Sequence, residues 1–347
     1  MSQCLIAFTV EYDNEWEEKF WIPLETKTLR VSIVMWENFL KFVPEQGVSL
    51  RELSVKAGYP KGRLHPCLAG MLRWGFVTEF SGNGKKSHRD NIIKATPVGR
   101  QAAKFWKPLA QELEKRWAVR FTKENIDALK SDLKDLVSRF DIKLPPFFPV
   151  LPHIDGMRAP IPYQPESEPL QNLNLRNLLS MVIHCYTIAF EEQSVEVSLA
   201  HRANVLRLLT AQGVPLKNVP SLAGISKEAL KMACVFLVKS GHVVEEPTIS
   251  GRGKDLRLTD KGIAERNRYA ELHELIENRW KNKFTEEVVS NLQSSLDAIL
   301  ARDEGTESPL IQGLAPGPNT WRATLPRPSV LPNHPMVLHR GGWPDGS

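Results

Sequence analysis

Several things are scarce in this chain, and each scarcity narrows what it can be. Only four cysteines occur in 347 residues, Cys4, Cys67, Cys185 and Cys234, and no two stand at C-x-x-C spacing. That argues against a disulfide framework or a structural zinc site and for a reducing compartment. No apolar run approaches the ~20 residues needed to cross a bilayer. The opening Met1-Ser2-Gln3-Cys4 has no basic, then apolar, then small-residue order of a secretory signal. No Gly-x-x-x-x-Gly-Lys-Ser/Thr loop is present, and Gly82-Asn83-Gly84-Lys85 lacks its spacing. His65-Pro66-Cys67 and His184-Cys185 have no second pair at metal-ligand spacing. The expectation is therefore a chain with no catalysis, no cofactor and no metal. A net charge of +5 is small, so a nucleic-acid partner is permitted without being demanded.

What the chain does have is a repeat. Arg116-Trp117 and Phe121-Thr122 return as Arg279-Trp280 and Phe284-Thr285, 163 positions later. Gln46-Gly47-Val48 and Ala57-Gly58 return as Gln212-Gly213-Val214 and Ala223-Gly224 at an offset of 166, and Thr96-x-x-Gly99 meets Thr259-x-x-Gly262 back at 163. A period above 100 residues is a duplicated domain, not a solenoid unit. Prolines cluster between Pro145 and Pro169 and again between Pro309 and Pro344, with large apolar residues among them. The boundaries read as repeat 1 over 1–143, a Pro-rich linker or arm over 144–172, repeat 2 over 173–302 and a Pro/Gly-rich C-terminal arm over 303–347. Because aromatics interleave the prolines, both arms are expected to dock rather than trail.

Within each repeat the element order follows from punctuation. Leu5, Phe8, Tyr12, Trp16 and Phe20 recur at helical spacing, and a second helix is expected around 31–42. Ser49 with Glu52 is a capping-box pattern opening a short helix that ends at Gly58. A further helix spans about 61–74, and Pro66 inside it should kink it. Two strands, 76–80 and 92–95, flank a basic loop. Thr96-Pro97 starts a long helix, and Thr122 caps a last one. Repeat 2 matches: helices at 202–210, up to Gly224, and from Ser226 to 239, strands at 243–245 and 256–258 around Ser250-Gly251-Arg252-Gly253-Lys254, and helices capped by Thr259 and Thr285. The fold class is mainly α with small β hairpins.

This order resembles the MarR-type winged helix-turn-helix. The resemblance is carried by the Ala-Gly turns, by the aliphatic runs before Gly75 and Gly241, and by the hairpin exit into Thr-x-x-Gly. It covers about 5–140 and 178–300. It implies two tandem winged helix-turn-helix domains with flanking dimerisation helices, and a bacterial, cytoplasmic, nucleoid-associated regulator of transcription whose partner is double-stranded DNA. Two departures stand out. The Asp-x-Arg of the family's wing is displaced in both copies, and Pro66 interrupts one recognition helix.

The candidate contacts follow. On the recognition helices these are Lys61, Arg63 and His65 in repeat 1, and Ser226, Lys227 and Lys231 in repeat 2, with Glu228 beside them. On the wings they are Lys85, Lys86 and Arg89, and Arg252 and Lys254. Lys and Arg bind phosphates and guanine edges, and an arginine between glycines can enter a narrow minor groove. Basic helix faces are also common for solubility alone, so the alternative is a winged-helix protein–protein interaction module without specific DNA binding. The apolar first and last helices of each repeat are expected to pair the repeats as an intrachain pseudo-dimer, with a homodimer as the competing arrangement. The tryptophans are expected in the core or the repeat seam, though an aromatic-lined cleft could hold a small phenolic effector. Cys4 and Cys67 are candidate reactive thiols, because a nearby cation lowers a thiol's pKa.

Overall fold

The computed structural model describes residues 1–20, 37, 39–57, 61–81, 91–146, 169–193, 196–248, 251–301, 306–318, 320, 323 and 327–335. The chain is mainly helical with two small antiparallel sheets. The first half runs α1 (Ser2–Lys19), β1 (Val48–Ser49), α2 (Leu50–Lys56), α3 (Lys61–Arg73), β2 (Val77–Phe80), β3 (Ile92–Ala95), α4 (Pro97–Arg120) and α5 (Lys123–Ser138). The second half runs α6 (Leu175–Glu192), α7 (Leu199–Asn204), β4 (Val214–Pro215), α8 (Val219–Ala223), α9 (Lys227–Lys239), β5 (Val243–Pro247), β6 (Lys254–Leu258), α10 (Asp260–Phe284) and α11 (Glu286–Leu300), with α12 (Pro309–Gln312) in the tail.

Each sheet has three strands, not the two expected from sequence. The orders are β1-β3-β2 and β4-β6-β5, with Val48 opposite Ile93 and Val214 opposite Leu256. A two-residue strand has no alternation to read. Pro66 does not break α3, which runs unbroken to Arg73. The helix expected at 202–210 is instead α7 followed by a short 3-10 turn, Leu206–Leu208.

The duplication extends to backbone detail. Thr96 and Thr259 each cap a long helix, accepting from the N–H of Gly99 and Gly262 at 3.1 Å and donating to the carbonyls of Gly75 and Gly241. At the sharp corners before α5 and α11, Thr122 and Thr285 hold positive φ values of 66° and 76°, unusual for a β-branched residue. The cap expected at Thr285 is not made by its side chain, whereas Thr122 Oγ1 does accept from Asn125.

One large core runs through both halves. Trp117, Phe121, Leu129 and Leu133 of the first share it with Leu178, Trp280, Phe284, Leu292 and Ile299 of the second. Helix α5 packs along α11 and also against α6, while α1 packs on α4 and α6. Where α5 meets α11, Ser295 Oγ donates to Asp132 Oδ2, and these two residues are 163 positions apart, the repeat offset itself. Equivalent residues of the two repeats thus touch each other, as they do about a two-fold axis. Apolar residues around α7, α8, α9 and the second sheet form a separate, smaller core that includes Val205, Leu209, Ala233, Leu237 and Leu256. The first sheet has no such independence: Val48, Phe76 and Ile93 belong to the large core.

The described part of the C-terminal arm packs against α1, whereas most of the Pro-rich segment 144–172 lies outside the described residues. Asn14 Nδ2 donates to Leu314 O, Gln3 Nε2 donates to Leu331 O, and Leu331 is buried. With the arm against it, α1 is buried on nearly every side rather than along one stripe, and it carries Glu11 inside. Glu11 takes two hydrogen bonds from Arg120, at 2.7 and 3.0 Å, and one from Trp117 Nε1. Burial still pushes its carboxyl above the ordinary value. No helix among the described residues is long and apolar enough to cross a membrane.

Candidate nucleic-acid interface

The second half presents its clearest surface feature between α9 and the β5–β6 hairpin. Ile225 and Ser226 follow the left-handed Gly224, which ends α8, and Ser226 Oγ accepts from Ala229 N to start α9. Ala229, Leu230, Ala233 and Leu237 then face the small core, a spacing of three to four residues. The opposite face is left outward, with Lys227, Lys231 and Val235 at successive i, i+4 positions.

Across from this face stands the hairpin. Gly251 and Gly253 carry φ values of 69° and 109°, a left-handed geometry open to glycine, and Arg252 lies between them. Thr248 N donates to Gly253 O at 3.2 Å and Gly251 N to Thr248 O at 2.8 Å, closing the turn. Lys254 lies inside β6 opposite Pro247, not in the loop as expected, and its Nζ donates to Glu245 at 2.8 Å. That contact raises the lysine's pKa.

Helix and hairpin bound an open groove of about 940 Å³. Lys217, Lys227, Lys231, Lys239, Arg252 and Lys254 line it, against the single carboxylate of Glu245. Among the described residues Lys227, Lys231 and Arg252 have no carboxylate partner. Lys261, outside the groove, is paired with Glu196 at 2.6 Å. Sequence reasoning named four of these cations and missed Lys217 and Lys239. Lys217 comes from the 3-10 turn before α8, and only folding brings it beside α9.

Ser226 differs from expectation: it is buried, and its hydroxyl is engaged as the helix cap, so it supports the surface without forming part of it. Asp255-Leu256-Arg257 does have Asp-x-Arg spacing, but within β6, where Arg257 pairs with Glu246. In the first half, Lys61, Arg63 and His65 fall on α3, but their side chains, like that of Cys67, lie outside the described residues. Lys85, Lys86 and Arg89 of the first loop lie outside them altogether.

Of the two candidate thiols, only the side chain of Cys4 can be placed. Cys4 is fully buried, and burial raises its pKa, which suppresses the thiolate. The aromatic cluster of Tyr186, Phe190, Tyr269 and His273 packs ring against ring at centroid distances of 4.4–6.5 Å. Among the described residues no cluster of three His, Cys, Asp or Glu side chains could hold a metal ion. No family model matches the chain, and no curated protein matches it either.

Proposed function

We propose that the chain is a DNA-binding transcriptional regulator of MarR-like type, with one winged helix-turn-helix in each repeat and the two repeats paired inside a single polypeptide. One observation carries this reading: six cations from three separate segments converge on the groove between α9 and the β5–β6 hairpin. In a winged helix, α9 would lie in the major groove, with Lys227 and Lys231 toward guanine edges or phosphates. Arg252, flanked by glycines, would reach the backbone or the adjacent minor groove. The shared core and the contact between Asp132 and Ser295 support pairing within the chain.

Affinity built on phosphate contacts falls steeply with salt, and each neutralised contact lowers the logarithmic salt slope by about 1. Lys227→Gln, Lys231→Gln and Arg252→Gln should each flatten that slope in gel-shift titrations, whereas Lys261→Gln should leave it unchanged. Absence of any shift with random or selected duplexes at low salt would end the DNA reading. Sedimentation should give a mass near 39.3 kDa at low concentration. A species of twice that mass would point instead to a homodimer carrying four winged helices.

A further inference from the structure

The groove on the second half has a floor as well as a rim, and the floor is apolar. Val235 and Val238 are 59% and 40% exposed there, and Leu216, Pro220 and the largely buried Cys234 also line the groove. A duplex offers phosphates to such a rim but almost nothing apolar beyond thymine methyl groups. Val238, in the last turn of α9, lies far from the helix start that a recognition helix inserts first. The floor therefore needs a different occupant from the rim alone.

We propose that this groove docks an acidic segment of a partner protein, with apolar side chains seated on Val235 and Val238 and carboxylates facing Lys217, Lys231 and Arg252. Charge complementarity selects the sign: the one lining carboxylate, Glu245, is already held by Lys254. The shape selects the length. Thirteen residues of α9 span roughly 20 Å at 1.5 Å per residue, enough to seat about three turns of an amphipathic helix. Such a segment would occlude the face that a duplex would use, so the two occupants exclude each other. The docking proposal itself does not depend on DNA binding.

The test uses the full chain and a displayed library of random 16-residue peptides. Selection should enrich acidic sequences with apolar residues at i, i+3 or i+4, and i+7. A labelled peptide of that consensus should bind at least about tenfold more weakly to the Val235→Gln, Val238→Gln double variant, since two valines no longer bury apolar area. Both positions are exposed, so the melting temperature should stay as it was. A scrambled peptide of the same composition should bind poorly. The proposal is overturned if no acidic–apolar consensus emerges, if the double variant binds equally well, or if the scrambled peptide matches the consensus. A duplex shift without peptide binding would leave the regulator reading standing and remove this one. Peptide binding without a duplex shift would do the reverse.

Discussion

Between neutral pH and about pH 4 the protein should lose stability on the order of 6 kcal/mol, through two buried histidines. His201, on α7, is 5% exposed and stacks on Phe236 with centroids 5.3 Å apart. His334, in the C-terminal arm, is 4% exposed. Its backbone N–H donates to Asn204 Oδ1 at 3.0 Å, its carbonyl accepts from Asn204 Nδ2 at 2.7 Å, and its Nε2 lies 3.1 Å from Thr187 Oγ1. Burial pushes both imidazoles down from 6.5 to about 4. A depressed folded pKa means the unfolded chain takes up the proton first as acid is added. The stabilisation is complete above the unfolded value and drains away as the pH falls toward the folded one. His242 and His273, lowered for the same reason, act in the same direction. Glu11, raised by burial, acts in the opposite sense around its own titration. Denaturant unfolding at successive pH values would measure the slope. His201→Phe should reduce the proton uptake by one, and a flat stability between pH 7 and pH 5 would refute the account.

Alanine at Gly99 or Gly262 should be nearly as damaging for its size. A Cβ at Gly99 would stand 2.1 Å from the carbonyl oxygen of Phe76, and one at Gly262 would stand 2.0 Å from that of His242. The obstacle in each case is backbone rather than a side chain that can swing away. The start of the long helix would have to move off the strand entry, pulling Thr96 or Thr259 from its hydrogen bonds. A cost of about 3 kcal/mol or more is expected, at or above the top of the usual overpacking range. Gly262→Ala should act on the small core and Gly99→Ala on the large one, since Phe76 lies in the large core. Gly251→Ala is the control: a Cβ there would meet nothing within 4 Å. It should cost about 1 kcal/mol, from backbone strain alone. Equal melting temperatures for Gly262→Ala and Gly251→Ala would contradict the geometry.

These glycines show what the sequence made legible. Thr-x-x-Gly could be read as a recurring phrase because the close approach of helix and strand leaves no other side chain room, so both copies carry it. Caps at Ser49, Thr96, Thr122, Ser226 and Thr259 were readable because a hydroxyl before an apolar-periodic run has a single local use. Thr285 looks identical in sequence yet makes no side-chain cap, and Asn174 with Asn177 forms a full capping box that the Ser/Thr–Glu pattern does not capture. The site was legible in part. Lys227, Lys231, Arg252 and Lys254 stand near recognisable punctuation. The apolar floor was hidden, because Val235 and Val238 on a helix read as core until the packing shows them facing outward. The separation into one large and one small core was equally invisible, since it depends on which helices of the two repeats lie together.

The meeting of Asp132 with Ser295 bears on which repeat can face which. At a two-fold seam, whatever one repeat places on the axis must face its counterpart. If two chains opened and joined through their first repeats, an Asp132 carboxylate would meet another Asp132 carboxylate, and one would have to take up a proton or leave the seam. A join through second repeats would set hydroxyl against hydroxyl and leave no carboxylate acceptor. Only the mixed pairing matches a donor to an acceptor. A single difference between equivalent positions thus favours pairing unlike repeats over pairing like ones.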